Sequence, residues 1–197
     1  ATHETWGPKK SVAAVLRACA AHAVGVVPQG GNTGLVGGGV PDASGRQVLL
    51  SLARLNKVRR IDAANLTMTV EAGCILQTAQ DAVEARGAFL PLDLGSRGSA
   101  TVGGCIAANA GGNRVLRWGM MRDMVTGLEV VLADGTIVTS LTKTIKDNAG
   151  FAWKHLMVGS EGTLGVITRA VLRLRPAPVS EQTALVALPS FEAVTSL

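Results

Sequence analysis

The segment 27–39, Val-Pro-Gln-Gly-Gly-Asn-Thr-Gly-Leu-Val-Gly-Gly-Gly, places six glycines in the ten positions 30–39, directly after a β-branched run of Val24, Val26 and Val27. A loop this bare lets another group approach its backbone closely. Glycine also reaches positive φ, so successive N–H groups can converge on one anion such as a phosphate. Asn32 and Thr33 supply side-chain donors beside them. A solvated, flexible loop has the same spelling, but two further glycine segments, 95–112 and 159–165, share its grammar. Two common nucleotide motifs do not fit. Gly34 and Gly39 have P-loop spacing, yet Val40 and Pro41 stand where Lys and Ser/Thr are needed. Gly37 and Gly39 match the first two glycines of the dinucleotide fingerprint, but Asp42 takes the third position and Pro41 signals a turn rather than a helix.

Composition bounds the partners. A chain of 197 residues that is 47% apolar supports one ordinary core, and 17% charged residues is too few for a disordered chain. With no Tyr and 3% aromatics it lacks the stacking surface of single-strand nucleic-acid binders, so nucleic acid is not expected as a partner. The net charge of +5 suits an anionic ligand without identifying it, because the densest basic cluster is only Lys57, Arg59 and Arg60. Cys19, Cys74 and Cys105 are far apart and odd in number, and His3, His22 and His155 are equally scattered. Neither a zinc site nor a disulfide framework is expected, and His22 reads as structural. Arg17 and His22 interrupt the best candidate for a membrane span. Neither a leader segment nor disulfides are expected, and the expected location is cytoplasmic. The Asn65-Leu66-Thr67 glycosylation spelling is discounted without a secretory context.

Along the chain, Val12, Val15, Leu16, Cys19 and Ala23 fall at helical spacing behind Ser11 as N-cap. Strands are expected at 24–27, 47–52, 57–62 and 67–72. A helix over 75–85 buries Ile75, Ala79, Ala82 and Val83 and stops at Gly87. A short helix of small residues follows at 101–110, then a strand pair at 125–132 and 137–140 about Ala133-Asp134-Gly135. The pattern predicts a helix at 151–158 and a strand at 166–174 whose Arg169, Arg173 and Arg175 form an exposed basic face. Arg175-Pro176-Ala177-Pro178 reads as a linker, followed by a strand at 183–188 and the start of a helix at 191–197. An edge strand and half a helix cannot build a core, so a second domain is expected to follow.

Five blocks occur in order: P-Q-G-G-N-T-G-L at 28–35, P-L-D-L-G-S-R-G-S-A-T-V-G-G at 91–104, A-N-A-G-G at 108–112, G-L-E-V-V-L-A-D-G-T at 127–136 and G-S-E-G-T-L-G-V-I-T at 159–168. Together they resemble the FAD-binding domain of the vanillyl-alcohol-oxidase-type (PCMH-type) flavoproteins. The nearest branch is that of the D-2-hydroxyacid dehydrogenases, which act on D-2-hydroxyglutarate, D-lactate and glycolate. The likeness covers roughly residues 8–190. It implies an α+β fold with an FAD-binding domain over 1–175, in two subdomains at about 1–90 and 100–175 with FAD between them. Residues 176–197 are then a linker and the start of a C-terminal substrate (cap) domain.

By the same resemblance, Pro28, Gln29, Gly30, Gly31, Asn32, Thr33 and Gly34 hold the FAD pyrophosphate through backbone N–H groups. Gly95, Ser99, Ala100, Thr101, Gly103 and Gly104 run along the ribityl and phosphate region. Asn109, Ala110 and Gly111 approach the flavin, and Glu161, Gly162, Gly165, Val166 and Ile167 line the adenosine and flavin side. Such a groove reads the dinucleotide through fixed dipoles and needs few charges. Gly31 is expected to be bare for the phosphates' sake, so that a side chain there expels the ligand while the fold stands. Relatives that attach the flavin covalently use a His in the first loop and a Cys just before T-V-G. Asn32 and Ser99 occupy those positions, which implies noncovalent FAD. Gly150-Phe151-Ala152-Trp153 departs from the branch's Gly-Tyr-Asp-Leu and loses a carboxylate.

The implied reaction is oxidation of a D-2-hydroxy acid to the 2-oxo acid by hydride transfer to flavin N5, with the electrons passing to an unidentified acceptor. In this branch the base and a divalent-metal site come from histidine-rich motifs of the C-terminal domain. No H-x-x-x-H occurs here, so no catalytic residue and no metal ligand is expected within 1–197, and the chain alone is expected to be inactive. Glu161 is read as a ligand contact rather than a turn cap, Cys105 as core, and Arg114, Arg117 and Arg122 as solvent-facing rather than substrate-facing. Two other readings stay open. One is a reductase resembling UDP-N-acetylenolpyruvoylglucosamine reductase, which G-S-E-G-T-L-G fits less well. The other is a noncatalytic anion- or nucleotide-binding module, which accounts for the pI of 9.6 and the glycines.

Overall fold

One antiparallel sheet organises the chain. The computed structural model describes residues 8–197; His3 and the first residues of the expected subdomain 1–90 lie outside the described residues. In chain order the elements are α1 (Pro8–Ala21), β1 (Gly25–Gln29), β2 (Gln47–Ser51), β3 (Val58–Asp62), β4 (Thr67–Glu71), α2 (Leu76–Glu84) and β5 (Ala88–Phe89). Then come α3 (Val102–Ala107), α4 (Val115–Trp118), α5 (Met121–Met124), β6 (Val125–Val131), β7 (Ile137–Ser140), α6 (Lys154–Met157), β8 (Val166–Arg173), β9 (Arg175–Pro176) and α7 (Phe191–Thr195). The large sheet runs β3-β4-β8-β6-β7, β1 and β2 form a parallel pair, and β5 pairs with β9. This is the expected α+β class. The expected division at 90–100 does not coincide with a division between sheets, because β3 and β4 share a sheet with β6, β7 and β8.

Adjacent residues of β6 show how the sheet is covered. Val130 belongs to the larger core with Met68, Val70, Leu76, Val83, Val102, Ile106, Leu128 and Leu172, which packs α2 and α3 on one face. Val131 belongs to a second cluster, in which Val12, Ala13 and Leu16 of α1 meet Leu52, Leu55 and Val166. Side chains alternate across a strand, so the two clusters lie on opposite faces.

The predicted basic face of β8 is absent, because β8 is an interior strand covered on both sides. Arg169 stands opposite Glu71 of β4 and Glu129 of β6. Its Nε lies 3.9 Å from Glu129 Oε1. Glu129 also accepts from Lys9 Nζ at 3.0 Å and from the Thr168 hydroxyl at 2.9 Å. Glu71 accepts from the Lys57 N–H at 2.8 Å and from Arg59 Nε at 2.9 Å. Both carboxylates are buried, and a buried charge persists where partners of opposite sign and hydrogen bonds surround it. Arg169 therefore belongs to an internal ladder of charges with Glu71 and Glu129, whereas Arg175 lies 5.2 Å over the Trp118 ring.

Other expectations shift for local reasons. α1 already runs from Pro8, so Ser11 lies inside the helix rather than capping it; proline suits a first helical turn because that turn needs no N–H. Ile75 is the extended N-cap residue of α2 and is exposed, leaving Leu76, Ala79 and Val83 as the buried stripe. Gly87 ends that segment at φ +69° and donates to Glu84 O. The helix expected at 151–158 contracts to α6, and 183–188 forms no strand. Arg175 and Pro176 pair with Phe89 and Ala88, so the linker reading fails for its first two residues.

α3 docks on β4 through a glycine. The Gly103 N–H donates to Ala72 O at 2.7 Å, and a Cβ on Gly103 would stand 2.6 Å from Ala72 Cβ and 2.9 Å from its carbonyl oxygen. Thr101 caps the helix by accepting the Gly104 N–H at 3.3 Å. Gly103→Ala is therefore expected to cost about 1–3 kcal/mol, an overpacking effect, and to lower Tm by several degrees. At Gly95, where a Cβ meets open space, the same substitution is expected to leave Tm within about 2 °C. Thermal denaturation by circular dichroism checks both.

Candidate functional site

The first glycine loop leaves β1 and lies on residues 99–101. A Cβ on Gly31 would overlap the Ser99 carbonyl oxygen, and one on Gly30 would overlap Thr101 Oγ1. The far side of the loop is held by Gln29 Nε2, which donates to Gly39 O at 2.7 Å. Asn32 sits in the left-handed region at φ +51°. The N–H groups of Gly30, Gly31, Asn32, Thr33 and Gly34 donate to no backbone carbonyl among the described residues. Five successive free donors are costly to desolvate unless an acceptor arrives.

The third glycine segment closes the other side. The Gly159 N–H donates to Ile106 O at 3.1 Å and the Glu161 N–H to Ala107 O at 2.9 Å, both at the end of α3. Gly162, at φ +82°, has no room for a side chain because Pro28 Cγ is 2.8 Å from its Cβ position. Gly38 would bring a Cβ 3.8 Å from Glu161 Oε2, so the carboxylate reaches towards the first loop.

Between these walls lies a cleft of about 210 Å³. Of the residues expected in the site, Pro28, Gln29, Gly30, Gly31, Asn32, Thr33, Gly34, Ala100, Thr101, Gly104, Ala110 and Glu161 line it. A smaller cavity of about 60 Å³ shares Pro28, Gly30, Gly104, Ala107 and Glu161 with it, and adds Gly103, Gly162, Gly165, Val166 and Ile167. Gly95, Ser99, Asn109 and Gly111 line neither. The Ser99 carbonyl faces Gly31, the Asn109 side chain accepts the Arg122 N–H at 3.0 Å, and Gly111 packs on Val115 Cγ2. The sequence reading missed Val36, Gly38, Gly39, Leu94, Cys105, Ala107 and Ala108 in the larger cleft, and Leu52 in the smaller one. The glycine run through position 39 and the alanines before A-N-A-G-G were the available signals.

The Cys105 and Glu161 side chains both line the cleft. Burial pushes the Cys105 thiol up to about 12, so it stays protonated and packs as expected. Arg117 is exposed, whereas Arg114 and Arg122 are partly exposed. Arg114 lies 4.9 Å over the Phe89 ring, Arg117 5.0 Å over Trp118, and Arg122 donates to His155 O at 2.7 Å and Val158 O at 2.5 Å. His22 is exposed just beyond α1. Among the described residues no cluster of His, Cys, Asp and Glu is placed to hold a metal, and no helix is long and apolar enough to cross a membrane.

A near-neutral cleft with a row of free N–H donors and walls of glycine and alanine fits a dinucleotide cofactor. Residues 7–140 match the FAD binding domain family. The chain belongs to that family, and FAD is its cofactor. It is 46% identical over 185 residues to the mitochondrial D-2-hydroxyglutarate dehydrogenase of Bos taurus, covering 94% of this chain and 34% of that protein. It is 45% identical over 186 residues to the D-2-hydroxyglutarate dehydrogenase of Xanthomonas citri pv. viticola, covering 94% and 39%. Among solved structures, alkyldihydroxyacetonephosphate synthase superposes with a TM-score of 0.76 at 27% identity, over 86% of this chain and 30% of that one. The chain thus spans roughly a third of the length of these relatives.

The expectation that Gly31 serves the ligand alone is corrected: its missing Cβ is required by the Ser99 carbonyl, so Gly31→Val is expected to lower stability as well as binding. Gly104 separates the two effects. It lies on the exposed side of α3, lines both cavities, and its Cβ position has one close neighbour, Thr101 Oγ1 at 3.2 Å. Gly104→Val is expected to weaken FAD binding by more than tenfold, about 1.4 kcal/mol, with Tm changed far less than in Gly31→Val. Calorimetric FAD titration alongside thermal melts checks the pair.

Proposed function

We propose that this chain is the FAD-holding portion of a flavin-dependent dehydrogenase that oxidises a D-2-hydroxy acid to its 2-oxo acid. The observation that carries the reading is the row of N–H groups at 30–34, without a backbone acceptor, on a cleft whose one charged lining side chain is Glu161. The relatives named D-2-hydroxyglutarate dehydrogenase support the substrate class. FAD, when bound, supplies the hydride acceptor. The chain's own residues bind and orient it. Gly30, Gly31, Asn32, Thr33 and Gly34 offer N–H donors without backbone acceptors to the diphosphate oxygens, which need no counter-cation when dipoles are fixed in place. Ala107, Ala108 and Ala110 keep one wall low enough for a flat ring to lie against it, and Leu94 adds apolar surface beside them. Gly103, Gly162, Gly165, Val166 and Ile167 extend the groove beneath Glu161.

With Asn32 and Ser99 at the two attachment positions, the flavin is held noncovalently. Acid precipitation of the loaded protein is expected to release all flavin into the supernatant; flavin retained in the pellet contradicts this.

Substrate oxidation needs a base for the hydroxyl proton, a contribution of roughly 10²–10⁴-fold in rate. The Cys105 thiol is held protonated, and we assign the base and any metal to a part of the protein outside these 197 residues. Reconstituted with FAD and a dye acceptor, the chain is expected to show no steady turnover of D-2-hydroxyglutarate, D-lactate or glycolate. Turnover abolished by Glu161→Gln would instead place the base in the cleft. The free thiols Cys19, Cys74 and Cys105 suit a reducing compartment. The cytoplasm remains the proposed location, beside the mitochondrial setting that the bovine relative's name records.

A further inference from the structure

Among the described residues five non-glycine positions have positive φ, and three of them, Asn32, Asn109 and Glu161, stand on or beside the cleft wall at +51°, +47° and +52°. A side chain held in this region persists where its surroundings over-determine it. Asn32 belongs to the glycine loop. Asn109 bonds directly to one residue outside the cleft, and Glu161 follows the segment which that residue holds.

Arg122 connects them. The Asn109 side-chain oxygen accepts the Arg122 backbone N–H at 3.0 Å, which fixes the start of α5 against the end of α3. From α5 the guanidinium reaches back to His155 O at 2.7 Å and Val158 O at 2.5 Å. The next residues complete a circuit, because the Gly159 and Glu161 N–H groups donate to Ile106 O and Ala107 O at 3.1 and 2.9 Å. The packing inside the circuit is close: a Cβ on Gly159 would lie 3.4 Å from Asn109 Cβ and 3.5 Å from an Arg122 terminal nitrogen. One planar fork thus holds two carbonyls on one wall while its own backbone is held by the other. A lysine ammonium has no comparable fixed geometry.

We infer that Arg122 is a positioning residue for the FAD site: it sets the Asn109–Ala110 wall and the Glu161 wall in one geometry without touching the cofactor. The inference rests on the FAD reading for its purpose, and on the hydrogen-bond circuit for its mechanism. Such a device converts a flexible glycine segment into a preorganised surface, so its loss appears in affinity and in the bound flavin's surroundings before it appears in the fold.

The test compares Arg122→Met and Arg122→Lys with the parent chain. In the FAD-free protein, amide exchange at Gly159 and Glu161 is expected to speed at least tenfold in Arg122→Met, with β4, β6 and β8 unchanged. The FAD dissociation constant is expected to rise at least tenfold, the visible circular dichroism of bound flavin to change, and Arg122→Lys to recover part of each. Unchanged exchange at 159 and 161, or unchanged FAD affinity despite faster exchange, overturns the inference. So does faster exchange throughout the sheet with no recovery by lysine, which marks a general loss of stability. A parent chain that binds no FAD removes the cofactor reading, while the exchange arm still decides whether Arg122 holds the two walls.

Discussion

Close approach at three glycines, where a Cβ has no room, is the contact on which the rest depends. Gly31 lies on the Ser99 carbonyl, Gly103 on Ala72, and Gly162 on Pro28. Each brings together segments distant in the chain because the glycine itself adds no side chain: Gly31 meets main chain, Gly103 meets the Ala72 Cβ and carbonyl, and Gly162 meets the Pro28 ring. The cleft is therefore walled largely by main chain, and its polarity comes from N–H groups held in place rather than from mobile charges. A single Cβ at any of the three contacts forces the walls apart, because protein interiors are too densely packed to absorb a carbon at that distance.

These contacts stay in register only if the sheet behind them does. β4 carries Ala72 just beyond its end, and β8 begins at Val166 beside the third glycine segment. The two strands are matched at Glu71 and Arg169, and β6 joins them at Glu129. Shifting any of these strands by one residue would send a buried charge to the opposite, apolar face, at the cost of losing its partners. The ladder thus acts on the site indirectly, by holding β4 and β8 at one register, while Arg122 locks the two cleft walls at the other end of α3.

Much of this was legible. Strand positions followed from alternation and turn residues, and the three glycine segments announced a surface made for close approach. What sequence could not show was which neighbour each glycine meets. Gly31 reads as bare for a ligand until Ser99 is placed against it. Arg169, Arg173 and Arg175 read as a solvated face until β8 is found between β4 and β6. Arg122 looks like any surface arginine because its acceptors are carbonyls, and carbonyls leave no trace in a sequence. Gly95, Ser99, Asn109 and Gly111 sit in the right blocks yet line neither cavity, because a block signals a neighbourhood rather than a contact.

The central claim is that the free N–H groups at 30–34 hold the diphosphate. Amide chemical shifts of Gly30, Gly31, Asn32, Thr33 and Gly34, followed by NMR, test it with two halves of the cofactor: ADP, which carries a diphosphate, and riboflavin, which carries none. The account predicts large downfield shifts of these amides with ADP and little movement with riboflavin. Shifts confined to other segments on adding ADP, with 30–34 unmoved, would contradict it.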